Sequence, residues 1–245
     1  MPSPNVDPSP FVGNDEIRIV EQRVLAHDWY LLRKTTFEHR RRDGRLQVVS
    51  RETYDRGNGV ALLLFNAARG TVILIRQFRF PCYVNGLADG MLIEACAGQL
   101  DGNDPIAAMQ REAIEETGYA VRSPRKVFEA YMSPGSITEK LHFFVAAYDD
   151  ADRRTAGGGE EHEGEDIEVL ELPLARALAM IASGEIQDGK TIMLLQHAAL
   201  TGLDKLYPST QDWIAAPMVA TVLRRVASPS SGEPSACFIV ASPIR

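Results

Sequence analysis

One helix in this sequence has both of its ends written into it, and it stands between two sets of strand-like runs. Asp104-Pro105 is an N-cap residue followed by proline at the first helical position. Gly118 follows Thr117 as a C-cap glycine, so the spacing predicts a helix from about Pro105 to Thr117. Upstream lie the apolar runs Val60 to Phe65 and Thr71 to Phe78, joined by Asn66-Ala67-Ala68-Arg69-Gly70, and then Met91 to Cys96. Downstream, strands are expected near Val127–Tyr131, Leu141–Ala147 and Val169–Leu172. Helices are expected over Leu174 to Ser183 and Thr191 to Thr201. This order is neither strict β-α-β alternation nor all-β. An α/β fold, a mixed sheet flanked by helices, fits it best.

The chain divides by composition. Residues 1–14 carry four prolines and little hydrophobicity, and read as a flexible leader. Residues 15–57 hold the short β-type runs Ile17–Val20, Trp29–Leu32 and Leu46–Val49, with a turn at Arg42-Asp43-Gly44. They predict a small antiparallel sheet. The main domain is placed at residues 58–204. Residues 205–245 form a C-terminal extension, expected to be disordered in part. Within it Trp213 to Val226 has helical character, although Pro217 opposes an unbroken helix.

The net charge of -7 gives no basic footprint, so no nucleic-acid or anionic-membrane partner is expected. Cys82, Cys96 and Cys237 form no CxxC pair and read as reduced thiols of a cytoplasmic protein. The N-terminus lacks the pattern of a signal peptide, and no apolar run approaches the ~20 residues that span a bilayer.

The chemistry lies on the capped helix. Glu112 and Glu116 are four apart and share a side, at the margin of the apolar stripe of Ile106, Met109, Gln110, Ala113 and Thr117. Like charges at that spacing cost about 0.2–0.5 kcal/mol, and desolvating them costs more. A hard cation such as Mg²⁺ removes the cost. Taken alone, the helix still reads as a solvated acidic face. Its flanks change the reading. Glu94-Ala95-Cys96-Ala97-Gly98-Gln99-Leu100-Asp101 is a strand running into a glycine turn, and Glu115-Glu116-Thr117-Gly118-Tyr119 follows on the other side. Ala97 to Tyr119 resembles the Nudix box, whose usual form is a glycine, a first glutamate, and then Arg-Glu-x-x-Glu-Glu-x-Gly. Arg111, Glu112, Glu115, Glu116 and Gly118 match its second half. The first half departs: counted back from Arg111, Ala97 stands at the glycine position and Asn103 at the first glutamate.

That resemblance implies a Nudix-type α/β/α sandwich and a Mg²⁺-dependent hydrolase, with Mn²⁺ as the alternative ion. It implies Glu112, Glu116 and the Ala97 carbonyl as metal ligands, Glu115 as a helper and Arg111 as their orienting partner. It extends from about Ile17 to Thr201. The segments that carry it are Tyr54-Asp55-Arg56-Gly57-Asn58-Gly59, Leu74-Ile75-Arg76-Gln77-Phe78-Arg79, Tyr131-Met132-Ser133-Pro134-Gly135, Gly157-Gly158-Gly159 with Glu165-Asp166-Ile167-Glu168-Val169, and Asp188-Gly189-Lys190-Thr191. This longer run resembles the GDP-mannose pyrophosphatase branch of the family, close to the ADP-ribose pyrophosphatases. It implies that Arg79, Gly98, Glu139 and Lys190 meet the substrate. Glu165 then completes the metal site and activates water, and Trp29 stacks on the base where the family has tyrosine. Arg51 and Glu52 reach a partner subunit's site in a homodimer. Ser50 departs from the family's lysine there.

The implied reaction is hydrolysis of a nucleotide sugar, GDP-mannose to GMP and mannose 1-phosphate. The alternatives are ADP-ribose to AMP and ribose 5-phosphate, and a non-catalytic nucleotide-binding regulator. The Gly157-Gly158-Gly159 triplet, with no strand-to-helix turn around it, reads as a hinge rather than a phosphate cradle.

Overall fold

The computed structural model describes residue 14 and residues 16–206. Its main sheet is assembled around β4 (Gly59–Asn66), which is buried along almost its whole length. Such a continuous apolar run suits a strand covered on both faces. Alternation sorts its side chains. Ala61, Leu63 and Phe65 join one core, with Phe143, Val145, Leu194, Leu195 and Ala198. Val60, Leu62 and Leu64 join the other, with Phe144, Met109, Ala113 and Tyr119.

β5 (Thr71–Phe78) pairs antiparallel with β4, and β9 (Lys140–Ala147) pairs parallel with it. The order is completed by β10 (Glu168–Pro173) beside β5 and β8 (Arg125–Tyr131) beside β9. β6 (Met91–Glu94) pairs with β5, and β7 (Cys96–Gln99) pairs with β4. The expected single strand from Met91 to Cys96 is thus two strands meeting at Ala95, each on a different neighbour. A short helix, α1 (Phe80–Val84), which the sequence reading did not include, follows β5.

Helices cover both faces. α2 (Pro105–Glu112) packs on the second core, and α3 (Leu174–Ser183) and α4 (Gly189–Thr201) pack on the first. The result is the expected α/β/α sandwich with a mixed sheet. α3 has the predicted bounds. α4 starts ahead of the predicted Thr191, because the Asp188 carboxylate caps it by accepting from the Thr191 N–H at 2.9 Å. The acidic helix departs more. α2 is regular only to Glu112, and residues Ala113–Thr117 form a wider π turn that ends at Gly118, where φ is 82°. Such turns recur at functional sites. Glu116 and Thr117 are buried there, so Glu116 lies inside rather than at the margin.

The N-terminal sheet is antiparallel as expected, with β1 (Ile17–His27), β2 (Leu31–Arg40) and β3 (Leu46–Asp55) in sequence order. Its strands are longer than the apolar runs that announced them. Trp29 and Tyr30 fall in the bend before β2 rather than in a strand. The sheet is joined to the main body where Tyr54 N–H donates to the Ser136 carbonyl at 2.8 Å. No helix among the described residues is long and apolar enough to cross a membrane. Residues 1–13 of the expected leader and most of the C-terminal extension, including Trp213 to Val226, lie outside the described residues.

Candidate active site

The site forms where β7, the acidic helix and the loop before β10 meet. Asp104 caps α2, its carboxylate accepting from the Ile106 N–H at 2.9 Å. That anchors the helix, and Glu112 at its end lies against Gly98 of β7. A Cβ on Gly98 would come within 2.0 Å of the Glu112 carboxyl carbon. Glycine here is a demand of packing between strand and carboxylate. Glu116 reaches the same strand from the π turn, where its Oε2 accepts from the Ala97 N–H at 3.0 Å. The Cys96 thiol donates a further hydrogen bond to it.

Both carboxyls are strongly perturbed. Burial pushes Glu112 up to about 7; the Arg111 charge opposes this and Glu115, Glu165 and Glu163 add to it. Burial pushes Glu116 up to about 8, against the hydrogen bonds from Cys96 and Ala97, with Glu112 and Glu165 adding repulsion. Arg111 orients the outer pair as expected, with Nη2 2.6 Å from Glu112 Oε1 and Nη1 2.9 Å from Glu115 Oε2.

Glu165 belongs to this group electrostatically, since its charge bears on Glu112, Glu116 and Arg79. What brings its loop here is the glycine triplet. Gly158 and Gly159 N–H groups donate to the Glu116 and Glu115 carbonyls at 3.1 and 2.9 Å, satisfying the open end of the helix. Gly157, Gly158 and Gly159 all have positive φ, and a Cβ on Gly157 would lie 2.6 Å from the Glu116 carbonyl oxygen. The triplet therefore docks its loop on the end of the acidic helix, a contact that the hinge reading did not anticipate. Glu165 itself is pinned by the Glu160 N–H, which donates to its Oε2 at 3.0 Å.

The donor set fits a hard divalent cation. Its members are carboxylates whose ionisation is penalised by burial and by one another, which a divalent charge relieves. Among the described residues, no three His, Cys, Asp or Glu side chains converge closely enough to ligate an ion. Arg111 holds Glu112, and the Glu160 N–H holds Glu165.

Beside the acids stands a second cluster. Arg79, just after β5, donates from Nε and Nη2 to Glu94 at 2.6 and 3.2 Å. Lys190, in the first turn of α4, pairs with Glu94 and lies 3.1 Å from Asp188 Oδ2. Sequence reasoning found both cations and missed both carboxylates. Glu139 pairs with Arg56 at 3.4 Å, and Arg56 lies over the Tyr30 ring. Tyr30 in turn accepts a hydrogen bond from Gln99 at the end of β7 and packs edge-on against Trp29, which is 57% exposed. Arg51 and Glu52 stand on β3 opposite Thr35 and Lys34. No hydrogen bond or ion pair among the described residues joins either of them to the acidic helix.

A family model described as "GDP-mannose pyrophosphatase NudK N-terminal domain" matches residues 16–54, and one described as "NUDIX domain" matches residues 55–195. A GDP-mannose pyrophosphatase of Pectobacterium atrosepticum is 56% identical over 186 residues, 76% of this chain and 95% of that protein. One from Klebsiella pneumoniae is 52% identical over 187 residues, 76% of this chain and 93% of that protein. Among solved structures, an ADP compounds hydrolase superposes with a TM-score of 0.59 at 17% identity, covering 79% of this chain and 98% of that one. At that identity the likeness concerns the fold.

Proposed function

The chain belongs to the Nudix hydrolase family, and on that premise we propose that it hydrolyses the pyrophosphate bond of GDP-mannose with Mg²⁺, releasing GMP and mannose 1-phosphate. The observation that carries the substrate is identity of 52–56% to proteins of that name along nearly their whole length. In this reading Glu112, Glu116, Glu165 and the Ala97 carbonyl would hold Mg²⁺ (or Mn²⁺). The ion, when bound, neutralises pyrophosphate oxygens and lowers the pKa of a bound water.

The residues of the chain then divide the work. Glu165 takes the proton of the attacking water at its carboxylate. Arg79 and Lys190 meet the diphosphate, the guanidinium with its planar fork and the ammonium as a point charge. Arg111 keeps Glu112 and Glu115 in place, and Glu115 supports the ligand pair. Gly98 leaves room for Glu112 beside the strand. Trp29 offers its exposed ring to the base, and Glu139, steadied by Arg56, contacts the substrate.

A homodimer is part of the same proposal. The small sheet leaves Val20, Val24 and Val48 exposed, and in this reading Arg51 and Glu52 would complete the site of a second copy. Light scattering at the mass of a monomer would remove that part.

The deciding experiment is product identification with GDP-mannose and ADP-ribose side by side. GMP and mannose 1-phosphate at the higher kcat/KM are expected. AMP and ribose 5-phosphate from ADP-ribose, with GDP-mannose left intact, would replace the substrate assignment. No turnover of either would point to a nucleotide-binding protein without catalysis.

A further inference from the structure

We infer that Glu94 is a positioning residue for this reaction, holding Arg79 and Lys190 side by side where the diphosphate is to be met; the inference rests on the pyrophosphatase reading above. Glu94 closes the apolar strand Met91-Leu92-Ile93-Glu94, and its side chain is 2% exposed. A carboxylate so placed must be matched or expelled. It is matched twice. Oε1 accepts from Arg79 Nε at 2.6 Å, while Oε2 accepts from Arg79 Nη2 at 3.2 Å and also takes the Lys190 ammonium.

The clamp is fastened from behind. Lys190 also faces Asp188, whose Oδ2 accepts from the Thr191 N–H at 2.9 Å and the Thr191 hydroxyl at 2.6 Å. The Thr191 hydroxyl oxygen accepts from the N–H of Ala95, the residue after Glu94, at 2.6 Å. Strand end and helix start are thereby locked to each other, with Ala97 of β7 two residues further on. Two carboxylates and two cations make the cluster neutral as a unit.

The way Arg79 is held indicates what the clamp serves. Its guanidinium is engaged by Glu94 through Nε and Nη2, and Nη1 makes no hydrogen bond among the described residues. The side chain is 39% exposed, the most open member of the cluster, and it feels the charges of Glu116 and Glu165. Fixing one edge of the fork sets the plane of the other, so the free edge is oriented without a search among rotamers. A buried carboxylate tied to two cations would be a poor device for stability alone, since apolar residues of the same volume serve that end as well or better.

The test is a double-mutant cycle on the full chain. Glu94→Gln keeps the size, removes the charge and turns an amide toward a cation. It should lower kcat/KM for GDP-mannose about 100-fold, the loss expected from misplaced binding groups. Half-activation by Mg²⁺ should stay where it is in the wild type. In an Arg79→Ala background the same change should cost no more than about threefold, because the group through which Glu94 acts is gone. A role in stability alone lowers Tm and leaves kcat/KM of the folded enzyme within about twofold of wild type. Additivity, or Glu94→Gln turning over within about twofold of wild type, overturns the inference. If Glu94→Gln does not fold, the cycle is run with Glu94→Asp, which keeps the charge and retracts it by one methylene, and the same additivity decides. Wild-type turnover of GDP-mannose is the control on the premise. Its absence sinks the pyrophosphatase reading and the role of Glu94 with it, whereas turnover with an additive cycle sinks only Glu94.

Discussion

The cluster around Glu94 and the cluster around Glu116 both bury carboxylates, but the first holds two cations against its buried acid, whereas the one cation of the second, Arg111, pairs with Glu112 and Glu115 and leaves Glu116 to its acidic neighbours. Burial alone would push Glu94 up, yet Lys190 and Arg79 outweigh it and hold the carboxyl below its ordinary range. Among the described residues, no cation pairs with Glu116. Its partners are a backbone N–H and a thiol, its neighbours Glu112 and Glu165 are acids, and it rises to about 8. Both clusters border the same box strand region, Glu94 to Ala97. One is complete when the chain has folded. The other is a deficit of positive charge that folding creates and leaves open, and a divalent ion is the natural remedy.

Substituting glutamine for glutamate should separate the two most sharply in activity. Glu116→Gln retains an oxygen to accept from Ala97 and removes a charge that costs free energy to bury. We expect the variant to melt at or above the wild-type Tm, while Mg²⁺-dependent turnover falls about 10³-fold, several kcal/mol of lost transition-state stabilisation. Glu94→Gln, by contrast, leaves Lys190 short of a partner and should melt lower. Thermal melts and steady-state rates on the two variants check this. Near-normal activity in Glu116→Gln would break the assignment of the acidic helix, and equal Tm shifts would break the contrast.

How much of this could be read from the chain follows the range of the interactions. The capped start of α2, the buried strand β4 and the bounds of α3 are local patterns, and they were legible. So was the Arg111-Glu112-Glu115 grouping, which adjacent turns of one helix bring together. Glu94 did carry a signal, a lone carboxylate ending an apolar run. Its partners, however, come from β5 and α4, and only the sheet order joins them. The glycine triplet shows the same limit. Three glycines in a row read as a hinge, and their docking depends on the helix end that meets them. The π turn at Ala113–Thr117 leaves no periodicity of its own in so short a stretch, so Glu116 was placed at the edge of the core when it lies within it.

The smaller effect, and the more discriminating one, concerns pH. Glu112 and Glu116 titrate near 7 and 8 in the folded, metal-free chain and near 4.5 when unfolded. Between those values the folded state binds more protons than the unfolded one, so stability falls as pH rises. Their stabilising contribution is whole below about 4.5 and is spent once pH passes about 8. A divalent cation competes for the same oxygens and releases those protons on binding. Mg²⁺ should therefore raise Tm little at about pH 5.5, where protons already occupy the site. At about pH 8.5 it should add about 2 kcal/mol, or roughly 4–8 °C in a chain of this size. Melts with chelator and with Mg²⁺ at the two pH values measure this directly. The pH dependence should shrink in Glu116→Gln, which has lost one of the two groups, and should persist in Glu94→Gln, whose cluster was neutral without metal. An equal gain from Mg²⁺ at both pH values would mean that the cation is held by groups other than these two buried carboxylates, and the distinction between a completed cluster and an open one would fail at its foundation.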